Sequence, residues 1–182
     1  MPALERTNSC TDIDFTLRRQ FKKSHFRKHQ KEIILAALDR HDVYVQAATS
    51  FGKSLCFQLP AVIDQGITIV ISPLLSLMMN QVKALRDSGV DARTLNSNTP
   101  QDEKEHIYLD LASGHPRTRL LYVTPELCSG DFFRKRLQLV HEQKELARIV
   151  VDEAHCISEC TYRTLADNPH TLELTTDVPF SL

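Results

Sequence analysis

Ala47-Ala48-Thr49-Ser50-Phe51-Gly52-Lys53-Ser54 follows a short apolar run, Val43 to Ala47, and opens a segment of helical character reaching about Val62. The run is β-branched and aromatic, so it reads as a short buried strand, and the Gly52 region turns the chain into a helix. A loop in that position presents backbone amides and the positive end of the helix to one point in space, which suits a run of phosphates. Thr49, Ser50 and Gly52 line such a loop. Lys53 would meet the β- and γ-phosphates, and the Ser54 hydroxyl would hold Mg²⁺. Gly52-Lys53-Ser54 alone also occurs at ordinary helix starts, so the assignment needs a second motif.

That motif is Val150-Val151-Asp152-Glu153-Ala154-His155, where another apolar run ends in two adjacent carboxylates. Asp152 at a strand end can hold the water shell of Mg²⁺, and Glu153 can orient and activate an attacking water. His155 is the candidate relay residue, although a lone histidine also serves as an ordinary boundary side chain. The loop departs from the usual pattern in two places. Ala47 occupies the first glycine position, and Ser50-Phe51 precedes Gly52. If position 50 needs a positive φ, serine costs about 1–3 kcal/mol there. Phe51 has no donor for phosphate and should face outward or pack beside the loop.

Between the motifs, Ile67 to Ile71, Leu120 to Val123 and Ile149 to Val151 read as strands. Helical segments alternate with them. Pro73 should stand in the first turn of a helix whose apolar positions are Leu74, Leu77, Met78 and Val82, ended by Ser88-Gly89. Thr99 should cap a helix with Pro100 at its first position, running to about Gly114, and Phe132 to Val140 is helical. Upstream, Ile13, Leu17 and Phe21, then Ile33, Ile34, Ala37 and Leu38, mark two helices before the first strand. The alternation predicts an α/β fold with a parallel sheet and its ligand at the carboxyl edge, and the strand-loop-helix and strand-end contexts of the two motifs make the expectation a single RecA-like P-loop lobe.

Composition narrows the function classes. The chain has 182 residues, 42% of them hydrophobic, enough for one domain with a real core and too few for two full lobes. Lys and Arg number 22 against 23 Asp and Glu, so any contact with a polyanion must be local. Five scattered cysteines do not form a disulfide scaffold. Cys156 and Cys160 flank a candidate metal corner with His155, but no second cysteine pair completes it, and no structural zinc is expected. The N-terminus lacks the apolar core of a secretory signal, and no apolar run approaches a membrane span.

Five segments taken in order resemble the first ATPase lobe of the RecQ-like DNA helicases, within helicase superfamily 2. They are Phe26-Arg27-Lys28-His29-Gln30, Lys53-Ser54-Leu55-Cys56-Phe57-Gln58-Leu59-Pro60, Ser72-Pro73-Leu74-Leu75-Ser76-Leu77-Met78, Thr124-Pro125-Glu126 and Asp152-Glu153-Ala154-His155-Cys156-Ile157-Ser158-Glu159. The likeness covers about residues 15–159. It implies ATP with Mg²⁺, adenine recognition by Arg27 and Gln30, and a single-stranded or tailed duplex DNA partner. Ser72, Pro73, Ser76, Asn80, Gln81 and Thr124 would lie along the strand path, bonding phosphate oxygens where they carry polar atoms. Taken singly, each of these is more often a cap or surface polar group.

The resemblance implies an ATP-dependent 3′-to-5′ DNA helicase, nuclear if the source is eukaryotic. The implied organisation is an N-terminal leader and helix over 1–25, a partial ATP-binding lobe over 26–159 and a divergent tail over 160–182. The departure begins at Cys160. Relatives carry a Trp-Gly-His-Asp-Phe-Arg-like loop that couples DNA to hydrolysis, whereas this chain has Cys160-Thr161-Tyr162-Arg163-Thr164-Leu165. The tail is too short for a second ATPase lobe, so the expectation is an ATP-binding lobe with little autonomous hydrolysis or unwinding. A non-enzymatic nucleotide- or DNA-binding remnant and an interrupted gene model are the alternatives.

Overall fold

A computed structural model describes residues 9–152 and 180–181. Two helices, α1 (Ser9–Arg19) and α2 (Gln30–Leu38), precede a short 3₁₀ turn at Thr49–Phe51 and the long helix α3 (Lys53–Ile63). Then follow β1 (Ile67–Ile71), α4 (Leu75–Asp87), β2 (Ala92–Leu95), α5 (Gln101–Leu111), β3 (Leu120–Val123), α6 (Pro125–Cys128), α7 (Asp131–Glu142) and β4 (Leu146–Val151). The two-residue β5 (Phe180–Ser181) closes the order. All strands run parallel, arranged β2-β3-β1-β4-β5.

Burial on both faces explains why β1, Ile-Thr-Ile-Val-Ile, is apolar at every position but Thr68, with every residue buried. Ile67, Ile69 and Ile71 join Leu121, Val123, Ile149 and Val151 under α5 and α7. Val70, Leu120, Tyr122 and Val150 face α3 and α4 on the other side. The helix α3 is itself covered outside by Ile13 and Leu17 of α1 and Ile34 of α2, which pack on Leu55, Cys56 and Leu59. It is therefore buried all round from Leu55 to Ala61. Gly66 starts β1 at φ +88°, where an added Cβ would collide with the main-chain carbonyl of Glu145. That close approach lets Ile67 N donate to Glu145 O at 2.7 Å and sets the start of the β1–β4 pairing.

Three local expectations are corrected. Val43 to Ala47 forms no strand of the sheet. Val43 makes an isolated β-bridge, Tyr44 is 70% exposed, and β5 pairs with β4 through Ile149–Phe180 and Val150–Ser181. β-propensity favours an extended backbone there, but a ladder also needs a free neighbouring edge. Pro73 stands before α4 rather than inside it, and Leu74 is its exposed N-cap residue. Thr99 does not cap α5, which starts after Pro100. Its buried hydroxyl instead accepts from Asn96 N at 3.0 Å and closes the preceding turn.

The remaining expected elements are present. Ile67–Ile71 and Leu120–Val123 coincide with β1 and β3, Ile149–Val151 is the end of β4, and α7 contains Phe132 to Val140. Among the described residues no helix is long and apolar enough to cross a membrane.

Candidate nucleotide-binding site

The site is built where α3 begins. Gly52 adopts φ +84°, a left-handed conformation that costs glycine little and lets the chain leave the 3₁₀ turn directly into the helix. The positive φ falls at Gly52, and Ser50 is not among the residues with φ above zero, so the conditional cost at position 50 does not arise. Phe51 packs, half-buried, against the cluster of α1, α2 and α3, beside the loop as expected. No side chain caps α3, and Leu55 N turns back to Gly52 O at 3.2 Å, so the amides of Lys53 and Ser54 are the ones an anion at this end would meet.

Gln30, only 3% exposed, ties this loop to the segment before it. Its Oε1 accepts from Arg27 N at 2.8 Å, and its Nε2 donates to Phe51 O at 2.9 Å and to Gly52 O at 3.3 Å. Both amide hydrogens are thus used by the loop before α3, while Oε1 retains a second lone pair. An added Cβ at Gly52 would stand 3.0 Å from Gln30 Nε2 and 3.7 Å from an Arg27 guanidinium nitrogen. Glycine is therefore required both for φ and for the approach of Gln30. Beside this junction opens a cleft of roughly 450 Å³, bordered by Phe21, Lys23, His25 and Arg27 on one side and Gly52 and Ser54 on the other.

Sequence reasoning did not single out the Phe21-to-His25 wall. Phe21 fits the helical spacing of Ile13 and Leu17, and that periodicity masks its place at the cleft. The visible signal is the polar Lys22-Lys23-Ser24-His25 run interrupting two apolar helices, with Lys22 at φ 54° and Ser24 Oγ 2.8 Å from His25 Nδ1.

Asp152 lies at the end of β4, 8% exposed, with its N–H donating to Ile71 O at 2.9 Å. Ser54 and Gln58 are four residues apart and share a face of α3. Gln58 Nε2 bonds Gln81 Oε1 at 3.0 Å, and Gln81 Nε2 reaches Asp152 Oδ2 at 3.4 Å. The α3 face carrying Ser54 is therefore turned toward the carboxylate. A hydroxyl and one carboxylate suit Mg²⁺, which keeps several waters and shares its coordination with substrate phosphates. Among the described residues no group of three or more His, Cys, Asp or Glu is placed to hold a metal by itself. Glu153, His155, Cys156 and Cys160 lie outside the described residues, and the backbone of Thr49 is described without its side chain.

The expected strand-path residues separate into two groups. Ser76 and Asn80 are exposed, four apart on one face of α4. Pro73 is half-buried, and Ser72 is 1% exposed with a buried hydroxyl that has no partner. Thr124 caps α6, its Oγ1 accepting from Leu127 N at 3.4 Å. Gln81 has its amide committed to Gln58, Tyr122 and Asp152. The buried thiols contribute no nucleophile, since burial pushes Cys56 up to about 11 and Cys128 up to about 12.

Comparison with known proteins identifies the family. A DEAD/DEAH box helicase family profile matches residues 27–173, which runs past Glu159 into the segment read as a tail. The chain is 44% identical over 148 residues to the RecQ-like DNA helicase blm-1 of Caenorhabditis elegans, covering 79% of this chain and 15% of that protein. It is 44% identical over 144 residues to the ATP-dependent DNA helicase RecQ of Haemophilus influenzae, covering 79% and 22%. It thus spans a small part of these relatives' length. The helicase MrfA bound to DNA and AMPPNP superposes with a TM-score of 0.73 at 15% identity, covering 100% of this chain and 26% of that one. A hypothetical ATP-dependent RNA helicase from Sulfolobus tokodaii gives 0.66 at 17% identity, covering 94% and 49%. At such identities the likeness is one of fold. The profile match over residues 27–173 and the sequence relatives agree, and the chain belongs to the DEAD/DEAH box helicase family, with RecQ-like helicases as its homologues.

Proposed function

We propose that this chain forms the first, nucleotide-binding lobe of a RecQ-like, ATP-dependent DNA helicase of 3′-to-5′ polarity, acting in the nucleus if the source is eukaryotic. The observation that carries the reading is the junction in which Gln30 binds the carbonyls of Phe51 and Gly52 beside the Arg27-lined cleft. One side of that junction suits a base and the other suits phosphates. Arg27 and the free lone pair of Gln30 Oε1 are assigned to adenine. The Lys53 ammonium and the first amides of α3 are assigned to the phosphates, with Thr49, Ser50 and Gly52 shaping the loop.

Ser54 and Asp152 would hold Mg²⁺ and its water shell, and bound ATP supplies the phosphoryl group whose transfer to water drives movement on DNA. Glu153 is assigned to orient that water, and His155 to relay the state of the site. Ser76 and Asn80, accessible on α4, together with Ser72, Pro73 and Thr124 at the strand ends, are assigned to the DNA side. Transition-state charge on the transferred group needs a further cation, and an arginine finger contributes about 10³–10⁵ in rate. The 182 residues assayed alone should therefore bind ATP, hydrolyse it weakly and separate no strands.

The test uses the 182-residue protein, Mg²⁺, a fluorescent ATP analogue and a 3′-tailed duplex, beside Lys53→Ala. Saturable binding lost in Lys53→Ala, without strand separation, is expected. Binding indifferent to Lys53 refutes the site, and robust Lys53-dependent unwinding by these residues alone refutes the single-lobe reading.

A further inference from the structure

One polar cluster interrupts the apolar face between the sheet and helices α3 and α4. Gln58 of α3, Gln81 of α4, Tyr122 of β3 and Asp152 after β4 meet there, with Gln58 9%, Tyr122 0% and Asp152 8% exposed. Gln58 Nε2 donates to Gln81 Oε1 at 3.0 Å and to the Tyr122 hydroxyl at 3.0 Å. The Tyr122 hydroxyl donates to Gln81 Oε1 at 2.9 Å. Gln81 Nε2 then donates to Asp152 Oδ2 at 3.4 Å.

The donor and acceptor inventory makes this cluster directional. Gln81 Oε1 receives two hydrogens, one from an amide and one from a hydroxyl, which fills both of its lone pairs. Turning the Gln81 amide over would set its NH₂ against those donors and its oxygen against a carboxylate. Burial raises the Tyr122 pKa, the Gln58 hydrogen bond lowers it in part, and the charge of Asp152 raises it further, so the phenol stays a donor. Two bonds, at 2.9 and 3.0 Å, thus hold the Gln81 amide oxygen, a third at 3.0 Å ties its two donors Gln58 and Tyr122 to each other, and the longer fourth contact aims the amide's positive end at Asp152.

We infer that Gln81, locked by Gln58 and Tyr122, is a positioning residue that orients the Asp152 carboxylate for Mg²⁺-dependent nucleotide binding. This inference rests on the nucleotide-site reading given above. Partners for buried polar groups would be needed in any fold, but a purely structural cluster has no reason to end on the carboxylate at the sheet edge. Asn80, exposed on α4, is the chain neighbour of Gln81, so the helix assigned to the DNA side also carries the group that holds Asp152.

The experiment measures the affinity of the 182-residue protein for a fluorescent ATP analogue with Mg²⁺ and with EDTA, and takes the ratio. Gln81→Leu and Tyr122→Phe are expected to lower that ratio about three- to tenfold, the effect of one lost hydrogen bond, and to leave the metal-free affinity unchanged. In an Asp152→Asn background, adding Gln81→Leu should change nothing further. Tyr122→Phe keeps the buried ring and loses only the hydroxyl, so it decides the matter if Gln81→Leu melts early. A ratio equal to that of the unsubstituted protein, or equal losses with and without Mg²⁺, overturns the inference and leaves the nucleotide site standing. If the unsubstituted protein binds the analogue without any Mg²⁺ dependence, the metal role of Asp152 falls and this inference with it. If it binds no nucleotide at all, the proposed function fails too.

Discussion

Replacing Gln30 with alanine separates two roles that one side chain can have. The side chain is 3% exposed and makes three hydrogen bonds, at 2.8 Å to Arg27 N, 2.9 Å to Phe51 O and 3.3 Å to Gly52 O. Each well-formed bond contributes about 1 kcal/mol net, and the longest contributes less. Phe51 and Gly52 are only half-buried, so their freed carbonyls can take water and avoid the full penalty of an unpaired group. The expected destabilisation is about 2–3 kcal/mol. At 2–4 °C per kcal/mol for a domain of this size, melting should fall by roughly 4–12 °C. Because the phosphate loop loses its tie, affinity for ATP and GTP should fall together, beyond any loss of base preference. Urea unfolding with an unchanged m-value, combined with titrations of both nucleotides, measures the two effects separately. A variant that melts within about 1 °C of the unsubstituted protein, yet no longer prefers ATP over GTP, would show that Gln30 acts on the base alone.

Two further outcomes test the framework. Arg148, fully buried on β4, donates to Asp64 after α3 and to Ala37 O at 3.3 Å, and two of its nitrogens have no partner. Arg148→Met should cost about 3 kcal/mol by stranding Asp64, whereas Arg148→Met with Asp64→Leu should regain most of it. Urea midpoints decide this, and a double variant no better than the single one would refute the pair as the cause. Burial raises the Asp110 pKa, but hydrogen bonds from Arg117 N, Thr118 N and Thr118 Oγ1 together with the Arg93 charge outweigh it and hold the group below its ordinary 3.8. The stability it contributes is therefore present above 3.8 and lost as pH falls through the lowered folded value. The gap in urea midpoint between the unsubstituted protein and Asp110→Asn should shrink across that window, and a gap independent of pH would contradict the assignment.

Periodicity and motif spacing made most of the lobe legible because both faces of the sheet are covered. Ile67–Ile71 and Leu120–Val123 are short runs, apolar or aromatic at every position but Thr68, and such runs bounded by turn residues have few other readings. Val43 to Ala47 has a similar β-branched and aromatic character, but its backbone makes only the bridge at Val43, and nothing within the segment shows whether a neighbouring strand will take it up. Thr99 carried the right residue type for a cap, and a buried turn claimed its hydroxyl first. At the site, residue types pointed to Gly52, Lys53 and Asp152, yet nothing local reveals that Gln58 and Gln81 converge on the carboxylate. Those contacts join residues on three separate elements and leave no periodic trace.

The parallel strand order also governs the sequence of assembly. β1 is synthesised before both of its neighbours, and Ile69 must wait for Leu121 on one side and Ile149 on the other. No hairpin can form first, because every adjacent pair needs a crossover, and such distant pairings are slow to close. The carboxylate edge therefore cannot form before β4 is made and Val151 pairs with Ile71, which sets Asp152 beside β1. A ligand that binds only across that edge stabilises the finished sheet by mass action and not its precursors. A nucleotide bound across that edge would thus act on this chain as a late folding partner.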